Sequence, residues 1–127
     1  MRRVACLLLL TVAACTASVP AEPHRVIVFF QEWSAAIDAA ANGAITEAAQ
    51  WAKDHPGAAV KVIGYADPTG SAAANDYMSR TRAQRVADEL VNDGVDRSRI
   101  TVTALGATGF TQSSQESRRV DIDIGPP

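Results

Sequence analysis

Apolar and polar positions divide the chain after residue 24 into six elements. Arg25 to Phe30 is a β-branched and aromatic run that predicts a strand, and its nearly continuous apolarity predicts burial on both faces. Ile37, Ala41, Ala44, Ile45, Ala48 and Ala52 recur at helical spacing, so a helix is expected from about Ala39 to Lys53. Asp38 can cap its start, and His55-Pro56-Gly57 ends it. Ala58 to Tyr65 reads as a second strand, followed by the turn signature Asp67-Pro68-Thr69-Gly70. A second helix is expected from a cap at Ser79, with an inner stripe of Ala83, Val86, Ala87, Leu90 and Val91 and a left-handed stop at Gly94. Arg99 to Leu105 alternates as a strand, Gly106 to Ser117 is a small polar loop, and Arg119 to Ile124 alternates strictly, as a half-exposed strand does. The order β-α-β-α-β-β predicts an α+β domain: a mixed sheet with two helices on one face, a two-layer sandwich.

The first residues follow a different pattern. Met1-Arg2-Arg3 is basic, and Val4 to Ala14 is apolar apart from Thr11. Spanning a bilayer takes roughly 20 apolar residues, so this run fits a secretory signal. It ends in Val12-Ala13-Ala14-Cys15, which has the form of a lipobox whose cysteine is lipidated. The alternative is an ordinary signal cut later, after Val19-Pro20-Ala21. The expected division is a signal peptide over residues 1–14, a lipidated Cys15 with a short polar tether over 15–24, and a folded domain over 25–125. The only other cysteine, Cys6, lies in the segment to be removed, so the domain is expected to hold neither a disulfide nor a cysteine metal site.

With 127 residues, 47% of them hydrophobic, the chain has the content of one globular domain. Its formal net charge of −2 carries no basic excess, which argues against nucleic acid as a partner.

Five separated stretches carry a resemblance. Gly64-Tyr65-Ala66-Asp67-Pro68-Thr69-Gly70-Ser71, Asn75, and Met78-Ser79-Arg80-Thr81-Arg82-Ala83-Gln84-Arg85-Val86 resemble the core motif of OmpA-like peptidoglycan-binding domains. Val28-Phe29-Phe30 with Ser34 and Ile37 is similar to the entry strand of that family. Gly94-Val95 with Arg99-Ile100 is similar to its helix-to-strand link, and Ser117-Arg118-Arg119-Val120-Asp121-Ile122 resembles its closing motif. Together they span about Val26 to Ile124. The pattern departs from the family at Gln31, Ala66, Met78 and Ser117.

The resemblance implies a ligand: the peptidoglycan stem peptide, held at diaminopimelate, which ends in an ammonium and a carboxylate on one carbon. Such a zwitterion needs an anion and a cation a few ångströms apart. Asp67, just past a strand, would take the ammonium. Arg82, in the first turn of a helix capped by Ser79, would take the carboxylate with help from the free N–H groups of that helix start. Ala66 and Met78 are expected to line the ligand site beside the pair. Asn75 either orients the loop or touches the ligand, and Arg119 either reaches the site, as the resemblance implies, or pairs with a surface acid. Phe29 and Phe30 are expected in the core, Trp33 and Trp51 either pack in the core, the favoured reading, or stand exposed as sugar-stacking residues, and Asp121 and Asp123 are expected to face water.

The resulting expectation is a non-enzymatic module with no metal and no cofactor, lipid-anchored at the outer membrane, facing the periplasm and binding peptidoglycan. The departures motivate an alternative, in which the same fold serves as a protein-interaction subunit of an envelope complex. A wall hydrolase is the third reading, but the chain shows no nucleophile with a placed base and no metal cluster to support it.

Overall fold

The structure, a computed structural model, describes residues 21–107 and 114–126. The signal segment, Cys15, most of the tether and the middle of the 106–117 loop lie outside the described residues.

Four strands form one mixed sheet: β1 (His24–Phe29), β2 (Val60–Gly64), β3 (Ile100–Ala104) and β4 (Arg119–Ile124). The spatial order is β1-β4-β2-β3. β4 runs antiparallel to both β1 and β2, while β2 and β3 are parallel. Three strands therefore end at the same edge of the sheet, where β4 begins. Two helices, α1 (Ala39–Asp54) and α2 (Ala72–Asn92), cover one face, and a short α3 (Ser114–Ser117) leads into β4. This is the α+β sandwich that the periodicity predicts.

The core lies between the sheet and these helices. Val26, Val28, Val60, Val62, Val120, Ile122 and Ile124 meet Ala41, Ile45, Ala48 and Ala52 of α1 and Ala83, Val86 and Leu90 of α2. Each fully buried branched side chain there stabilises the fold by about 2 kcal/mol. Asp38 caps α1 by accepting the Ala41 N–H at 2.8 Å. Arg99 fixes the other end of α1, donating to the carbonyls of Ala52, His55 and Ala58 at 2.8 Å each.

The structure departs from the sequence pattern in four places. β1 is buried on one face only: Val26, Val28 and Phe30 point to the helices, while Ile27 and Phe29 lie exposed on the outer face. The second helix starts at Ala72, not near Ser79, and Ser71 is its cap, accepting the Ala74 N–H at 3.1 Å. Ser79 sits in the helix interior, fully buried, because α2 approaches β2 there without a side chain between them: a Cβ at Gly64 would lie 2.1 Å from the Ser79 carbonyl oxygen. Asp121 and Asp123 do not face water but are buried on the outer face of β4, with Arg119 and Arg25 respectively laid over them. Trp33 and Trp51 are exposed.

The entrance to β1 is held by side chains. His24 stacks on Trp51 at 4.1 Å between ring centroids, and His55 stacks on the other side of the same indole at 4.2 Å. Arg25 grips Asp123 with two hydrogen bonds of 2.6 and 2.7 Å.

Candidate functional site

A cleft opens at the sheet edge where β1, β2 and β3 end. It encloses about 220 Å³ including the solvent at its mouth. The loop after β2 contributes Ala66, Asp67 and Thr69; α2 contributes Asn75, Met78 and Arg82; the turn after β1 contributes Glu32 and Trp33; the residue before β4 contributes Arg118.

Backbone bonds set the position of the loop. The Ala66 N–H donates to the Gly106 carbonyl at 2.9 Å, and the Tyr65 N–H to the Arg119 carbonyl at 2.9 Å. Ser79 ties α2 to the same place, since its hydroxyl accepts the Gly106 N–H at 3.0 Å and donates to the Asp76 carbonyl at 2.9 Å. Asp67 folds its own turn by accepting the Thr69 N–H at 3.1 Å. Its second oxygen meets Arg118 at 3.3 Å.

Arg82 lies one helical turn beyond Ser79 and is 1% exposed. Its Nε donates to the Ser34 carbonyl at 2.8 Å, and one terminal nitrogen donates to the Gln31 carbonyl at 3.1 Å. Its guanidinium carbon stands 5.4 Å from the centre of the Phe30 ring. Among the described residues no carboxylate lies within ion-pair distance of Arg82. Burial, and then the neighbouring Arg118 charge, lower its pKa to about 10, against the attraction of Asp67. It therefore stays cationic at neutral pH, with donors left over after holding two carbonyls. A buried guanidinium without a carboxylate is costly unless an anion completes it.

The structure brings Asp67, Arg82, Asn75, Ala66 and Met78 around one cleft. It does not bring Arg119 there. Alternation along β4 sends Val120, Ile122 and Ile124 toward the helices, so Arg118 shares the cleft side and Arg119 takes the outer face. There Arg119 pairs with Asp121 at 3.0 Å and lies over the Tyr65 ring at 4.3 Å. Arg82 is also mid-helix rather than in a first turn, so the free N–H groups at the start of α2 are more than two turns away from it. Sequence reasoning missed Arg118, although the apolar alternation that follows it carried the signal. For Trp33 it favoured the core over exposed stacking, because the turn that carries it has no periodicity to read. Among the described residues no three His, Cys, Asp or Glu gather in a way that could hold a metal ion.

Comparison with known proteins gives concordant results. The chain is 36% identical over 105 residues to the probable lipoprotein YiaD of Escherichia coli, an alignment covering 78% of this chain and 48% of the relative. It is 31% identical over 106 residues to the peptidoglycan-associated lipoprotein of Legionella pneumophila, covering 79% of this chain and 60% of that protein. The chain thus spans about half the length of these relatives. Among solved structures, the OmpA-like domain of FopA1 from Francisella tularensis superposes with a TM-score of 0.72 at 26% identity, covering 80% of this chain and 72% of that one. The peptidoglycan-associated lipoprotein of Burkholderia pseudomallei shares the fold, with a TM-score of 0.71 at 23% identity over 78% of this chain and 89% of that one. The OmpA family profile matches residues 29–121, which takes in both walls of the cleft, and the chain belongs to that family.

Proposed function

We propose that this domain binds peptidoglycan non-covalently, gripping the zwitterionic end of diaminopimelate in the cleft between Asp67 and Arg82. The observation that carries the reading is the buried Arg82 guanidinium. It is cationic at neutral pH, among the described residues it is held by two backbone carbonyls and the Phe30 ring with no carboxylate in ion-pair reach, and it opens onto the same cleft as Asp67. A ligand carboxylate would supply the missing anion, with Arg118 beside it, and the ligand ammonium would sit on Asp67. A plain amine would leave the buried Arg82 cation without an anion. Membership of the OmpA family and the likeness to a peptidoglycan-associated lipoprotein support the ligand class.

The relatives named above are a probable lipoprotein, a peptidoglycan-associated lipoprotein and an OmpA-like domain, which favours a binding role over catalysis. No helix among the described residues is long and apolar enough to cross a membrane. In this reading the membrane link is lipid on Cys15 after removal of residues 1–14, with residues 15–24 as the tether and the domain facing the periplasm from the outer membrane. No cofactor is needed.

The test is co-sedimentation of the purified domain with cell-wall sacculi, paired with calorimetric titration of diaminopimelate. The domain should pellet with the sacculi. Asp67→Asn and Arg82→Lys should each weaken binding at least about tenfold. Undiminished binding by both variants refutes the site.

A further inference from the structure

Trp33 occupies an unusual position for a large apolar residue. It is 56% exposed, it lines the cleft, and its backbone adopts φ = 51°, the left-handed region that non-glycine residues seldom enter. Strain of this kind persists only where the surroundings enforce it.

Here three contacts enforce it. The turn is closed by the Ser34 N–H donating to the Gln31 carbonyl at 3.2 Å. Arg82 grips the carbonyls at both ends of that turn. The indole rests on Gly70, itself at φ = 93°, so closely that a Cβ there would lie 3.0 Å from Trp33 Cη2. The same guanidinium that faces the cleft thus fixes the turn that carries the indole. The result is a fixed aromatic wall, braced by Gly70 along the Cη2 edge of its ring and otherwise exposed at the cleft.

We propose that Trp33 is the specificity-determining contact that makes the cleft prefer diaminopimelate within a peptide over the free amino acid. The inference rests on the wall-binding reading above. Diaminopimelate has two amino-acid ends. In the free molecule both are zwitterions, so when Asp67 and Arg82 hold one, the other remains charged and hydrated at the rim. In a stem peptide that second end is joined through amide bonds, which are planar and uncharged. An indole face attracts the ammonium of a zwitterion but not its carboxylate, and strips water from both, whereas it stacks on a planar, uncharged amide at far smaller desolvation cost. Because the wall is already fixed, little ordering opposes that contact.

The experiment is calorimetric titration of the domain with two probes, free diaminopimelate and the stem tetrapeptide in which diaminopimelate is amide-bonded at one end. Wild type should bind the tetrapeptide about tenfold more tightly. Trp33→Ala should bring the two affinities within about twofold of each other. Trp33→Gly serves as the second variant, since glycine accepts the left-handed backbone and keeps the turn while removing the ring. Trp33→Phe should retain most of the preference. A preference that survives in both Trp33→Ala and Trp33→Gly overturns the inference, as does a wild type that binds both probes equally. A wild type that binds neither probe overturns the wall-binding reading, and this inference with it.

Discussion

β4 separates two regions that treat charge in opposite ways. On its outer face, Arg25 and Arg119 are matched to Asp123 and Asp121 at 2.6 to 3.0 Å, so each buried carboxylate carries its own cation. On the helix side, the cleft holds two arginines, Arg82 and Arg118, and Arg82 is met by carbonyl oxygens rather than a carboxylate. The outer face is electrostatically complete and behaves as structure. The cleft keeps a buried cation that, among the described residues, meets no carboxylate. In the proposed reading, incomplete pairing, rather than mere proximity of arginine and aspartate, is what distinguishes the ligand cleft from the outer face.

The most severe way to break this contrast is Arg82→Ala. It removes the cation and releases the Gln31–Ser34 turn, so wall binding should vanish and stability should fall by roughly 2–4 kcal/mol, read by urea unfolding. On the other face, Asp121→Ala removes one partner of Arg119, which keeps its bond to the Glu116 carbonyl, and should cost about 2 kcal/mol while sacculus binding by the folded fraction is unchanged. Loss of binding there would erase the distinction between the faces. Gly64→Ala pushes α2 off β2 at the Ser79 carbonyl and should cost about 2 kcal/mol, shifting both stability and binding because it moves the helix that carries Arg82. The smallest effect is expected at Asp88, on the exposed side of α2. Its carboxyl is held below the usual carboxylate range, chiefly by the hydrogen bond from Arg97 and then by Gln84. A depressed folded value means this contribution is present above the unfolded carboxylate range and disappears as pH falls through the folded one. Asp88→Asn should therefore cost at most about 0.5 kcal/mol at neutral pH and nothing in strong acid, with binding untouched.

How much of this was legible in the sequence differs from element to element. The four strands announce themselves because Val and Ile dominate their inner positions. The start of α1 is legible because Asp38 stands immediately before the apolar stripe. The start of α2 is not, because its first two turns, from Ala72 to Met78, carry no continuous inner stripe and two serines compete for the cap. The outcome turns on Gly64, whose missing side chain lets Ser79 sit in the interior, and that is a contact between segments distant in sequence. Asp67 and Arg82 are legible as a motif, but the work Arg82 does on the Gln31 and Ser34 carbonyls is not, because it joins residues some fifty positions apart. Arg118 and Arg119 differ by one step of a two-residue period, so only the phase of Val120, Ile122 and Ile124 separates them. The burial of Asp121 and Asp123 follows from β4 lying between β1 and β2, a topological fact that no local pattern contains.

The placement of His24 has a mechanical consequence. Register pairs His24 with Ile124 and Ile124 with Val60, at the opposite end of the strands from Asp67 and Arg118. Tension between the segment preceding His24 and a partner seated in the cleft would run parallel to the strands. It would load all the β1–β4 hydrogen bonds in shear at once rather than peeling them apart one by one. The imidazole–indole–imidazole stack and the Arg25 clamp stand at the point where that load enters, and would serve as its first bolts.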